Sequence, residues 1–364
     1  MRRRKACGGL AVVLAALAVG CNDATEGPNP QGTGSASKGQ SVQFIGFDAN
    51  PKLIDALKQG KLEGLVLQNP YNMGDLGVRA LVDHLEKVEV KASMGTGEKM
   101  ATPETLGDPE IEQLLNPPKA EVSASGSAKP GPKTKKWRIL VIPKATSNEY
   151  WQTVHAGARK VAEEFDVELI WDGPQKEDDY TKQIQLVEGA KAMGVDGIVL
   201  APLDSKVLVS PVEKAIDNGI PVIIIDSGLE STKPVSFIAT DNYHGGVLAG
   251  KRMAELLGGK GEVVLLRHMV GSESTEQREK GFLETLARYP GIQVLSKDEY
   301  AGPTVDSAAK AAQDLLTRFR DQLDGIFCSN EQSTSGMLQA LEGAGMLKAS
   351  QEPAEVPQPA SQGQ

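Results

Sequence analysis

Two adjacent aromatic residues, Tyr150 and Trp151, stand in the string SNEYW, with Asn148 just before them and Lys144 shortly after an apolar run. A strand leading into a helix would put all four at the helix entrance, at the C-terminal end of a sheet strand. Neighbouring residues on a helix point in different directions, so both rings cannot face one core and at least one faces a ligand. Asp226 closes the apolar run VIIID. An acid there lies at the sheet edge, where it caps a loop or accepts hydrogen bonds from ligand hydroxyls. This is the chemistry of recognition. Nucleotide binding lacks its usual phosphate loop: no GxGxxG follows a strand, and no GxxxxGK[ST] is present. Gly258-Gly259-Lys260-Gly261 precedes a strand and reads as a turn. His84, His155, His244 and His268 are scattered without metal-like pairing, and His244 in NYHGG is expected to cap or pack near a hinge. No nucleophile elbow or base beside a candidate Ser is found. The run Glu177-Asp178-Asp179 reads as a solvated helix start, where negative charge suits the dipole. No catalytic residue, metal or cofactor is expected.

These residues need elements to hold them. The chain of 364 residues is 40% hydrophobic and 24% charged, near the globular average and long enough for two cores. A net charge of −9 argues against nucleic acid, whose phosphates need clustered Lys and Arg. Apolar runs at 138–143, 167–171, 197–202, 221–226, 236–240, 262–267, 293–296 and 325–329 are strand candidates. Between them, helical spacing places Trp151, Val154, Ala158, Val161 and Phe165 on one face, and Tyr180, Ile184 and Val187 on another, with Gly194 as a C-cap. Runs such as VIIID are apolar throughout, as parallel strands covered on both faces require. Strict alternation predicts a doubly wound α/β sheet. A shorter segment repeats the pattern: strand 42–47, helix 51–59, strand 64–67 and helix 73–85. It is too small for a parallel sheet of its own, so its strands are expected to complete sheets of the longer segment.

Residues 1–20 combine the basic RRRK with an apolar run ending in small residues, the layout of a secretory signal. Ala18-Val19-Gly20-Cys21 resembles the bacterial lipobox, with Ala18 where Leu is preferred, and implies lipidation of Cys21 and a lipid-anchored, periplasmic or cell-envelope location. Three cysteines make no disulfide framework. Residues 21–40 read as a flexible tether, 117–136 as a Gly/Ser/Pro linker and 350–364 as a disordered tail. Folded segments are expected at 41–116 and 137–349.

From Arg138 onward the sequence resembles the periplasmic sugar-binding proteins of the ribose-binding type, solute receptors of ABC importers with the fold of LacI-type repressors. The strings are VIPKATSNEYWQTVHAGA, GVDGIVLAPLD, GIPVIIIDSG, ATDNYHGGVLAG, REKGF and IFCSNEQSTSGML. The family's last pieces stand at the other end, in QFIGFDANPKLIDALKQGKLEGLVLQNPYNMG at 43–74 and LLNPP at 114–118, so the likeness is to a circularly permuted member. The resemblance implies a two-lobed type I periplasmic-binding-protein fold. Lobe 1 would hold about 137–239 plus 70–98, and lobe 2 about 240–349 plus 41–67. Crossings are expected near 239–242, 67–70 and 99–103.

A sugar offers apolar ring faces and many hydroxyls, so its site needs aromatic plates and planar hydrogen-bonding groups. Carried over residue by residue, the binding set is Lys144, Asn148, Tyr150, Trp151, Asp226, Arg278, Asn330, Asp48 and Gln68, with Phe47 and Tyr300 at weaker aromatic positions. Lys144 replaces a small polar residue, and Ser227 stands where an Arg often follows the Asp. Both departures speak against a simple pentose. The implied function is a monomeric extracytoplasmic receptor that binds a monosaccharide or polyol and presents it to ABC permease subunits. A signalling receptor of the same fold, passing a bound sugar or furanosyl compound to a sensor kinase or chemoreceptor, is the alternative. A repressor would need a helix-turn-helix, and an enzyme a nucleophile–base pair; neither is found.

Overall fold

The computed structural model describes residues 41–118 and 136–348. The expected signal, tether and tail, most of the 117–136 linker, and Cys21 lie outside the described residues.

The first described segment runs β1 (Gln43–Phe47), α1 (Pro51–Lys58), β2 (Gly64–Gln68), α2 (Pro70–Leu85), β3 (Ser93–Gly95), β4 (Glu98–Ala101) and α3 (Pro109–Leu115). The second opens with β5 (Arg138–Ile142), α4 (Glu149–Glu164), β6 (Glu168–Trp171), α5 (Tyr180–Met193), β7 (Gly197–Leu200), α6 (Val209–Asp217), β8 (Val222–Ile225) and β9 (Ser236–Ala239). It continues with α7 (Asn242–Leu256), β10 (Lys260–Arg267), α8 (Glu273–Leu286), β11 (Gly291–Tyr300), α9 (Val305–Phe319), β12 (Gly325–Cys328) and α10 (Glu331–Ala344).

Two six-stranded sheets form, in the orders β3-β9-β8-β7-β5-β6 and β11-β10-β12-β1-β2-β4. Every pairing is parallel except β2 with β4. The central strands β7, β8 and β12 are buried at every position because helices cover both faces of each sheet. Each sheet therefore has two apolar layers. The sheet of β5–β9 defines lobe 1 and that of β10–β12 defines lobe 2, as the expected α/β fold requires. β1 sits between β12 and β2, so a strand of the shorter segment is an interior strand of lobe 2.

Helix packing is closest at two matching places. A Cβ on Gly157 of α4 would meet the Tyr71 carbonyl of α2 at 1.9 Å, and one on Gly246 of α7 would meet the Arg278 carbonyl of α8 at 1.9 Å. These contacts fix the two helices, α4 and α8, whose first turns reach the space between the lobes. On α5 the buried face is Gln183, Leu186, Val187 and Ala190, one position off the apolar spacing. Gln183 is buried because it donates to the carbonyls of Pro143 and Ala201 and accepts from the Leu203 amide, tying the ends of β5 and β7 together.

The chain passes between lobes after Gln68, at Thr96–Gly97 and at Thr240–Asp241. The second passage comes before the expected 99–103, and Glu98–Ala101 already belongs to the lobe 2 sheet. The cause is β3, three residues with no apolar pattern. The passages are laced together: Thr240 Oγ1 donates to Gln68 Oε1 at 2.7 Å, and the Thr96 amide donates to the Ala239 carbonyl at 3.0 Å. His244 Nδ1 lies 2.7 Å from Glu98 Oε1 beside them.

Candidate binding site in the interlobe cleft

Strand ends set the site. β1 runs into Asp48 and β8 into Asp226, and both acids take the left-handed backbone conformation at φ 66°. Few non-glycine residues do so, Asp being among the most tolerant, and such positions cluster at functional sites. The two carboxylates thus face one cleft from opposite lobes.

Asp226 is held by both neighbours expected with it. Lys144 Nζ lies 2.7 Å from its Oδ2, and the Tyr150 hydroxyl donates to its Oδ1 at 2.8 Å. Lys144 also donates to Ser227 Oγ at 2.6 Å and, across the cleft, to Ser274 Oγ at 3.1 Å. The two departures from the family pattern, Lys144 and Ser227, are thus in direct contact. Burial and then the charge of Asp226 push the Tyr150 hydroxyl well above its ordinary pKa, which keeps it a donor.

Asp48 accepts from Gln68 Nε2 at 2.6 Å and lies 3.9 Å from Arg278 Nη1. Burial raises its pKa, against the lowering effects of Arg278 and Gln68. Arg278 is fixed by donation to Asn242 Oδ1 at 2.9 Å and the Ser329 carbonyl at 3.0 Å, with its guanidinium 3.9 Å above the Phe47 ring.

Asn148 and Asn330 each serve twice. Their Oδ1 atoms cap α4 and α10 by accepting from the Trp151 and Ser333 amides. Their Nδ2 atoms face the cleft: that of Asn148 lies 3.3 Å from Glu177 Oε1, and that of Asn330 donates to Gln332 Oε1 at 2.5 Å and lies 3.2 Å from His268 Nδ1.

Nine of the eleven expected residues, Asp48, Gln68, Lys144, Asn148, Tyr150, Trp151, Asp226, Arg278 and Asn330, line one cavity. Phe47 and Tyr300 do not. Phe47 is fully buried beneath Arg278, a packing role, and Tyr300 ends the edge strand β11, where Arg267 stacks on its ring at 4.8 Å. Tyr150 and Trp151 are both buried, in a T-shaped pair 5.0 Å apart, and both reach the cavity. The expectation that the core could take only one fails because core and cleft wall are continuous at this helix entrance.

Glu177 overturns the reading of a solvated helix start. It is buried, and its Oε1 accepts from Trp151 Nε1 at 2.9 Å and from Gln332 Nε2 at 3.2 Å, while Oε2 lies 3.0 Å from His268 Nε2. Asp179, two residues on, is the actual cap of α5. Burial alone would raise the Glu177 pKa; the hydrogen bond and charge of His268, helped by Lys144 and Trp151, outweigh it and hold the carboxyl at about 2. His268 and Gln332 join from lobe 2 and were not anticipated either.

The lobes stand shut on one another, with a cavity of about 30 Å³ between them. Besides the Lys144 and Glu177 links, the Gly228 amide donates to Glu273 Oε2 at 2.9 Å and the Ser274 amide to Ser227 Oγ at 3.1 Å across the cleft.

Residues 139–353, more than half of the chain, match the periplasmic binding protein domain. The chain belongs to this family. A xylitol-binding protein of Mycolicibacterium smegmatis is 32% identical over 189 residues, 52% of this chain and 53% of its own length. This periplasmic binding protein thus spans about half of that relative. A D-ribose/D-allose-binding protein of Pseudomonas aeruginosa is 31% identical, over 57% of this chain and 67% of its own. Among solved structures, a carbohydrate transporter solute-binding protein from Agrobacterium radiobacter in complex with D-arabinose has a TM-score of 0.56 and 34% identity. It covers 59% of this chain and 74% of the other.

Proposed function

We propose that this periplasmic binding protein is an extracytoplasmic receptor for a monosaccharide or polyol, which it delivers to an ABC importer. The observation that carries the reading is the convergence of Asp226, Lys144, Tyr150 and Trp151 from one lobe with Asp48, Arg278 and Asn330 from the other. Such a set is complete only when the lobes meet, so a ligand with hydroxyls on several sides favours the closed population. Entry requires the lobes to part, and ligand hydroxyls then replace links such as Lys144 to Ser274. Relatives named for xylitol and for ribose and allose support the ligand class. No covalent step is involved.

The protein is further read as a periplasmic monomer held to the membrane through lipid on Cys21. Its binding fold is read as circularly permuted, from 41–116 to 137–349. Two facts support the permutation. The family match begins at residue 139 and leaves 41–116 outside it. The Val42 amide donates to the Met346 carbonyl at 3.3 Å, so β1 begins where the connection after α10 would carry an unpermuted chain. A linker of about 20 residues reaches roughly 25 Å, enough to rejoin neighbouring termini.

A thermal melt of residues 22–364 with xylitol, D-ribose, D-allose and D-arabinose tests the receptor reading. A ligand at 100 times its dissociation constant adds about 2.7 kcal/mol, an upward shift of several degrees. A cooperative melt that no sugar or polyol moves contradicts it.

A further inference from the structure

Four carboxylic acids line the cleft, and three of them face a basic side chain. Asp226 has Lys144 at 2.7 Å, Glu177 has His268 at 3.0 Å and Asp48 has Arg278 at 3.9 Å. The fourth, Glu331 in the first turn of α10, meets no basic group among the described residues. It is 8% exposed. Its Oε1 accepts only from the neutral Asn50 Nδ2, at 3.2 Å, and its Oε2 is buried without any partner. Burial, with the negative charges of Asp48, Glu149 and Glu177, raises its pKa to about 7 against the opposing Asn50 bond. A buried carboxylate left in this state is unfavourable, and a native protein that keeps one has a reason for it.

We propose that Glu331 is a ligand-binding residue and that the cleft selects a sugar or polyol carrying a protonated primary amine, with the ammonium seated against Glu331. The inference rests on the sugar-receptor reading above and narrows its ligand class. Without a cation Glu331 sheds its charge by taking up a proton, and a neutral hydroxyl then adds a hydrogen bond with no gain from charge. An ammonium group supplies both the hydrogen bond and the opposing charge, and gives each of the four acids a cation. The position was not legible in the sequence, where Glu331 is one acid in a helix start.

The test is calorimetric titration of the full chain at pH 7 with glucosamine, galactosamine and 1-amino-1-deoxyxylitol, beside glucose, galactose and xylitol. At least one amine should bind ten times or more tighter than its hydroxyl parent. In Glu331→Gln the ratio between the two should fall to near one, whereas Glu331→Asp, which keeps the charge, should retain an amine preference. Parents that bind as tightly as their amines overturn the proposal while leaving the receptor reading intact, and need no variant to be folded. An amine preference that survives Glu331→Gln overturns the role of this residue. Binding by neither set overturns both readings.

Discussion

Glu177 and Glu331 are both buried carboxylic acids of one cleft, yet their surroundings drive them in opposite directions. Glu177, held at about 2 against an ordinary 4.5, contributes stability that is present above pH 4.5 and lost as pH falls towards 2, roughly 3 kcal/mol in all. Glu331, raised to about 7, favours the fold while protonated and costs stability as pH rises from 4.5 through 7. Urea unfolding should therefore show the margin of wild type over Glu177→Gln shrinking between pH 5 and pH 2. The margin of Glu331→Gln over wild type should grow between pH 4.5 and pH 8. Parallel pH curves for wild type and both variants would contradict these assignments. Asp226 was legible in the sequence because an acid directly after four apolar strand residues has few places to go. Glu177 and His268 were not, since they are 91 positions apart and become neighbours only when two lobes close.

Among the elements, the glycine contacts carry the sharpest expectation. A methyl group at Gly246 must push α7 away from the backbone of α8, which cannot yield like a side chain, and α8 carries Arg278. Gly246→Ala should cost about 3 kcal/mol and weaken ligand binding with it. Gly343, in α10, has open space around the same position. Gly343→Ala should leave stability unchanged or raise it by up to about 1 kcal/mol. Chemical denaturation of both variants checks the pair, and equal effects would contradict the packing account. The buried parallel strands were readable from their unbroken apolar runs. β3 and β4 were not, because short strands with exposed polar side chains resemble loops. β11 runs from Gly291 to Tyr300, well past the expected 293–296, because an edge strand with a register shift needs no continuous apolar face.

At the scale of the whole molecule, one lobe 2 core layer joins Val42, Phe44, Leu65 and Leu115 with Val264, Leu315, Ile326 and Met346. Residues 41–116 therefore lack most of what they pack against when alone, and should show no cooperative melt by circular dichroism. An independent sharp transition would contradict the reading of a single permuted fold. The resemblance in the chain made the two-lobed α/β fold legible, since sheets are defined by contacts and not by the order in which strands are met. The closed cleft was not legible: its links come from side chains whose partners lie on the other lobe.

Acids and bases from both lobes are proposed to grip one sugar or polyol. The most direct measurement is calorimetric titration of wild type, Asp226→Asn and Arg278→Ala with xylitol, D-ribose, D-allose, D-arabinose and their amino derivatives. Wild type should give a saturable one-site isotherm, with at least tenfold weaker binding, about 1.4 kcal/mol, in each folded variant. Wild-type affinity retained in both would place the ligand elsewhere and contradict the account.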